Sequence, residues 1–185
     1  NYRAYSPELK ERIRNIRILV FDVDGVFTDG GIILGSDDQE FKTFDVQDGM
    51  GVTLARKAGL KTAIITGRRS EAVERRSCEL RIDATYQGRK NKATAWREML
   101  DSFGFNDEQA CYMGDDLLDL ILIQRAGVGC SPANGTNDVK KAADLVTRSS
   151  GGGGAVRELV ETVLHIQDKW QDLLPMYMGD DNHHK

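Results

Sequence analysis

Several absences narrow this 185-residue chain before any motif is read. No apolar stretch approaches the roughly 18 residues that span a bilayer, so no transmembrane helix is expected. Basic residues are not in excess: 25 lysines and arginines against 29 aspartates and glutamates leave a net charge of −4, which gives no support to nucleic-acid binding. Cysteine is sparse and unpatterned. Cys78, Cys111 and Cys130 are odd in number, widely spaced and never CxxC, so they read as reduced structural thiols of a cytoplasmic protein. The opening NYRAYSPELKERIRNIR is charged throughout and has no signal-peptide core, which leads to the same expectation. Of three histidines, two (His183 and His184) sit at the far end, so imidazole has little chemistry to carry and carboxylates become the candidates.

What is present is an alternation. IRILVF (16–21), TAIIT (62–66), DATY (83–86), QACYM (109–113) and AGVGC (126–130) read as strands, and 47–59, 69–81, 91–103 and 116–125 as helices between them. This pattern predicts an α/β fold, a Rossmann-like three-layer parallel sheet with helices on both faces, and ligands beyond the carboxyl ends of the strands. One departure comes at about 30–46, where GIIL and EFKTF flank Gly35-Ser36-Asp37-Asp38 and predict a projecting β-hairpin. We expect one domain over 1–170, a helix over AVRELVETVLHIQ, and a disordered polar tail over 171–185.

The polar residues fall on one rim. ILVFDVDGVFTDG delivers Asp22 and Asp24 from an apolar strand into a glycine turn, where two close carboxylates need a compensating cation. An EF-hand loop does not fit, because its fifth and twelfth positions would be Val26 and Ile33, and no GxxxxGK[ST] is present for a P-loop. Thr66-Gly67-Arg68, Gln87-Gly88-Arg89-Lys90-Asn91-Lys92 and Met113-Gly114-Asp115-Asp116 each have a plain alternative as a capped or solvated helix start. Their joint occurrence in this order, each at a strand end, points instead to phosphoryl transfer. Asp22, Asp115 and a main-chain oxygen near Asp24 would share a divalent cation, most simply Mg2+. Thr66 and Lys92 would neutralise and orient phosphoryl oxygens, Asp22 would act as nucleophile, and Asp24, brought round by Gly25, as acid and base.

The ordered set DxDGV(F/L)TDG, TGR, K and GDDxxD resembles the haloacid dehalogenase-like phosphatases. The spans from Asp22 to Thr66 and from Thr66 to Lys92 are too short for an inserted cap domain, so the resemblance is to the capless group. DVDGVFTDG, FDVQDGMG, TGRRSEAVERR, YQGRKNK, MGDDLLD and GGGGAVRE are similar to the 3-deoxy-D-manno-octulosonate 8-phosphate (KDO 8-phosphate) phosphatases. The resemblance implies Asp22, Asp24 and Asp115 around Mg2+, and Thr66 and Lys92 on phosphate. It implies sugar or phosphate contacts from Asp45, Val46, Gln47, Asp48, Gly49, Gly67, Arg68 and Arg76, with Asp116 and Asp119 orienting metal waters and capping a helix. It also implies a homotetramer in which the hairpins form a small barrel and a neighbouring subunit shelters each site.

Two positions depart from the usual pattern. Thr53 and Gly153 stand where many relatives carry basic residues, which leaves open a nine-carbon relative of the substrate, 2-keto-3-deoxy-nonulosonate 9-phosphate or N-acetylneuraminate 9-phosphate. A receiver domain is disfavoured because the third strand ends in Tyr86-Gln87-Gly88 without an acid. A non-catalytic regulatory module is disfavoured because Asp22, Asp24 and Lys92 are all present.

Overall fold

The computed structural model describes residues 5–37 and 39–178. In chain order the elements begin with α1 (Pro7–Asn15), β1 (Ile18–Phe21), the hairpin strands β2 (Ile33–Leu34) and β3 (Glu40–Phe41), α2 (Val46–Lys57), β4 (Lys61–Ile65), α3 (Glu71–Leu80) and β5 (Ala84–Tyr86). They continue with α4 (Lys92–Phe103), β6 (Ala110–Met113), α5 (Leu120–Arg125), β7 (Val128–Ser131), α6 (Asn137–Ala142), β8 (Leu145–Val146) and α7 (Ala155–Ile166).

Six strands form one parallel sheet in the order β5-β4-β1-β6-β7-β8. β1 is central and fully buried, which is why its four residues are all apolar rather than alternating. Successive side chains point to opposite faces. Leu19 and Phe21 join a core with α2 and α7, while Ile18 and Val20 join one with Trp96 and Met99 of α4. Phe21 pairs with Ile64 on one side and Met113 on the other, so the ends of β4, β1 and β6 lie level. That register brings the residues just past them to one rim.

The expected hairpin forms as an antiparallel pair, Ile33 opposite Phe41 and Leu34 opposite Glu40, outside the main sheet. Three elements were not anticipated. α1 starts with Ser6 accepting a hydrogen bond from the Leu9 N–H and Pro7 in its first turn, and buries Ile13. Arg12 then holds Asp144 with two hydrogen bonds of 2.7 Å, tying α1 to the far edge of the sheet. α6 and β8 are the other two, each too short to show a period. The expected tail differs in its first part, where Trp170–Leu173 and Pro175–Met178 form single helical turns with Leu173 buried. Residues 179–185 lie outside the described residues.

Candidate active site

Asp22 follows β1, Thr66 follows β4 and Asp115 follows Gly114 at the end of β6, so the level strand ends converge their side chains. They line a cavity of about 310 Å3 together with Asp24, Gly67, Arg68 and Lys92. The DVDG segment leaves β1 in a tight turn, with the Val26, Phe27 and Thr28 N–H groups all donating to the Val23 carbonyl. Gly25 is required within it: its φ is +82°, and a Cβ there would lie 2.1 Å from an Asp115 carboxylate oxygen. The tight turn keeps Asp24 on the same cavity as Asp22, where a strand continued straight on would carry it roughly 6–7 Å further from the sheet.

The turn is held from behind by two later segments. Asn134 donates to the Gly25 carbonyl at 3.0 Å and accepts from the Gly151 N–H at 2.7 Å, and the Gly152 N–H donates to the Val26 carbonyl at 3.0 Å. Gly151 packs so closely on Gly25 that a Cβ would sit 1.8 Å from the Gly25 carbonyl oxygen. The glycine run is therefore a fitted buttress for the turn. The Thr136 N–H likewise donates to the Asp115 carbonyl at 2.8 Å.

Charge is concentrated under the rim. Lys92 opens α4 behind the cap formed by Asn91, and its side chain is 3% exposed. Its ammonium lies 2.9 Å from Asp22 Oδ2 and 2.5 Å from Asp119 Oδ1. Burial opposes the charge on Lys92, but Asp22 and Asp119 outweigh it and leave its pKa raised. Asp119 is saturated: Oδ1 takes Lys92 and the Tyr112 hydroxyl, and Oδ2 takes the Asp115 and Asp116 N–H groups at 3.0 and 3.2 Å. It positions the Asp115 loop, and with both oxygens taken it has no lone pair left to orient a metal water. Asp116 caps the turn Leu117–Asp119, accepting from the Leu117 N–H, and is exposed at the edge of the cavity.

Asp22 and Asp115 are the acids left to hold a cation; with the saturated Asp119 beside them, their carboxylate oxygens lie within 4.8 Å of one another. Asp22 Oδ1 is buried with no hydrogen-bond partner. Burial raises the pKa of Asp22, with Asp119 adding to it against Lys92. Burial first, then the charges of Asp119 and Asp22, push Asp115 up to about 7. An unsatisfied buried carboxylate beside a second one is what a hard divalent ion with oxygen ligands would relieve.

Other expected residues fall into two groups. Thr66, Gly67 and Arg68 sit on the rim as expected, Arg68 ion-paired with Glu40 of the hairpin. The Asp24 carboxylate stands apart from the acidic cluster and pairs with Lys42, so of Asp24 the main chain remains for a metal. The Asp45–Gly49 segment and Arg76 do not line this cavity within one chain. Asp45 caps α2, accepting from the Gln47 N–H at 2.5 Å, while Val46 and Gln47 are exposed. Gly49 is buried against Arg76, which pairs with Glu79 and packs over Phe44. Asp48 requires a correction. It is 0% exposed, and its carboxylate accepts from the Gly154 and Arg157 N–H groups at 3.3 and 2.9 Å, so it caps α7 and is not open to substrate. Thr53 donates to its own helix at Gly49, and Gly153 lines a separate groove with Gln47, Arg148 and Arg157.

Sequence reasoning missed Lys42, Tyr112 and Asn134. Lys42 was one charge in a polar hairpin and Tyr112 one residue in a buried strand, with no local signal in either case. Asn134 carried a weak one, its place in SPANG just beyond a strand end.

A family model described as haloacid dehalogenase-like hydrolase matches residues 82–159. The 3-deoxy-D-manno-octulosonate 8-phosphate phosphatase KdsC of Escherichia coli (strain B / BL21-DE3) is 39% identical over 168 residues, 91% of this chain and 89% of that protein. Among solved structures, the phosphatase of the same name from Moraxella catarrhalis, in complex with magnesium ion, phosphate ion and KDO, superposes with a TM-score of 0.90 at 37% identity, covering 94% of this chain and 99% of that one. The cobalt-bound deoxy-D-mannose-octulosonate 8-phosphate phosphatase of Haemophilus influenzae gives 0.83 at 34% identity, with 85% and 92% covered. With the capless sheet, the acidic rim and this extent of identity, the chain belongs to the haloacid dehalogenase-like hydrolases, in the family of the 3-deoxy-D-manno-octulosonate 8-phosphate phosphatases.

Proposed function

We propose that this chain is a Mg2+-dependent phosphomonoesterase that hydrolyses KDO 8-phosphate to KDO and phosphate, a step towards lipopolysaccharide precursors. The observation that carries the reading is Asp22: buried at a central strand end, one oxygen on Lys92 and the other without a partner. Asp22 and Asp115, with a main-chain oxygen of Asp24, would hold the metal. When bound, it supplies positive charge that favours ionised Asp22 and neutralises phosphoryl oxygens.

Asp22 then attacks phosphorus. The new Asp22–O–P bond forms as the bond from phosphorus to the sugar oxygen breaks, and Asp24 gives that leaving oxygen its proton. Lys92 and the Thr66 hydroxyl hold the non-bridging oxygens, and their fixed positions stabilise the charge that develops there. Asp24 next takes a proton from water, which attacks phosphorus and returns Asp22 as a free carboxylate.

Arg68 and the accessible Asp45, Val46 and Gln47 are the sugar-recognition candidates, the latter three and Arg76 acting from a neighbouring subunit. Support for a homotetramer comes from the hairpin, where Ile33, Leu34 and Phe41 are 53%, 74% and 52% exposed, an apolar face of the kind that subunits cover. A cytoplasmic place is supported by three free cysteines and fits the absence, among the described residues, of a helix long and apolar enough to cross a membrane.

The test is Mg2+-dependent phosphate release from KDO 8-phosphate, the two nine-carbon 9-phosphates and hexose phosphates. Preference for KDO 8-phosphate, abolished by Asp22→Asn in a folded protein, is the expected result. Preference for a nine-carbon substrate would transfer the reading to that substrate and make Thr53 and Gly153 marks of the switch. Metal-independent release, or full activity in Asp22→Asn, would overturn the mechanism.

A further inference from the structure

Lys42 lies on the chain segment leaving β3, 18 residues beyond Asp24. Its side chain is 1% exposed, so an ammonium has been taken almost wholly out of water. Such burial costs several kcal/mol unless the charge is paired. The partners are Asp24 Oδ1, in direct contact, and Glu40 Oε1 at 3.4 Å. Glu40 in turn pairs with Arg68, whose Nε lies 3.8 Å from Asp24 Oδ2. Charges therefore alternate around a ring of Asp24, Lys42, Glu40 and Arg68, and three of the four members are not rim acids. Arg68 is 47% exposed, so solvent screens its hold on Asp24; Lys42 is the unscreened one.

The ring explains a geometric oddity. Asp24 is two residues from Asp22 in a loop that packs on Asp115, yet its carboxylate takes no part in the cluster formed by Asp22, Asp115 and Asp119. We propose that Lys42 is a positioning residue of the reaction: it holds the Asp24 carboxylate out of the acidic cluster and available to the leaving oxygen of the substrate. The hairpin is then part of the proton-transfer apparatus through one buried charge. Without Lys42, Asp24 and Glu40 are left as neighbouring carboxylates with a single exposed cation between them, and Asp24 turns from its post.

This rests on the assignment of Asp24 as acid and base, and the experiment separates the two. Turnover of KDO 8-phosphate, whose alkoxide leaving group needs a proton, is compared with that of p-nitrophenyl phosphate, whose leaving group does not. Asp24→Asn serves as reference. Loss of a positioned general acid is worth roughly 10²-fold or more. Lys42→Met is expected to lose about 10²-fold on KDO 8-phosphate and under about tenfold on the aryl ester, mainly in kcat, with Lys42→Arg recovering at least tenfold of the loss. Should Lys42→Met fail to fold by circular dichroism, the charge-balanced pair Lys42→Met with Glu40→Gln is read in the same way. Equal losses on both substrates in a folded variant, or no loss, overturn the proposal while a split in Asp24→Asn leaves the acid–base reading standing. No split in Asp24→Asn overturns both.

Discussion

Replacing Asp48 by alanine separates a structural carboxylate from a substrate contact. In the folded chain Asp48 sits in the first turn of α2, fully buried, and reaches across to the first turn of α7. Oδ1 accepts from the Arg157 N–H at 2.9 Å and Oδ2 from the Gly154 N–H at 3.3 Å. Hydrogen bonds to a charged acceptor contribute about 1.5–3 kcal/mol each, and a carboxylate at a helix N-terminus adds a few tenths to 1. Set against this is the loss of hydration, the largest influence on Asp48, which raises its pKa despite those N–H donors. Desolvation thus outweighs what those donors give the charged form, and the cost of Asp48→Ala is that of the Gly154 and Arg157 N–H groups left without their acceptor, about 2 kcal/mol. For a domain of this size about 2–4 °C of Tm follows each kcal/mol, so Asp48→Ala should melt about 4–8 °C lower. The assay is thermal unfolding by circular dichroism, paired with steady-state kinetics well below the transition. KM for KDO 8-phosphate should stay within about twofold, because uniform binding energy is untouched. An unchanged Tm with KM raised tenfold or more would refute the reasoning and return Asp48 to the substrate.

Two other perturbations test the site. Gly151→Ala places a methyl group 1.8 Å from the Gly25 carbonyl oxygen, whereas Gly153→Ala finds its nearest atom at 3.5 Å. The first should lower kcat by roughly 10²-fold through displacement of the acidic turn and the second should not, and equal activities would disprove the buttress. Protons and Mg2+ compete for Asp22 and Asp115, whose pKa values burial raises, Asp115 to about 7. Titration calorimetry should show Mg2+ affinity weakening, with more protons released, from about pH 8 to about pH 6. The sign for stability is opposite: raised folded pKa values mean the metal-free fold gains stability as pH falls through about 7, so its Tm should rise while that of the Mg2+-loaded protein falls. Flat affinity across that window would refute the acidic cluster as the metal site.

Most of the sheet was legible because buried parallel strands leave unbroken apolar runs, as ILVF does, and the rim was legible because each run ends in a polar residue of distinct chemistry. The hairpin too announced itself, through the turn residues Gly35-Ser36-Asp37-Asp38. α1 was less visible: its buried contacts are Ile13 and the Ile16 that follows, and the charges that hide its pattern include Arg12, whose partner Asp144 is far along the chain. Long-range partnerships explain the other omissions. Asp48 read as part of a polar loop because the N–H groups it satisfies belong to residues more than a hundred positions away. Lys42 and Asn134 acquire meaning only once β3 and the turn after β7 are folded against the DVDG loop. A local pattern records what a residue is next to in sequence; it does not record which buried charge will need it.

The fit of Gly151 against Gly25 also has a temporal side. The DVDG loop is made early and its buttress late, and at synthesis rates of roughly 5–20 residues per second the interval is roughly 6–25 s. Throughout that interval the nascent chain carries Asp22 and Asp24 without the packing that sets their turn. The turn that carries Asp22 and Asp24 can thus reach its final packing only after translation has passed the glycine run.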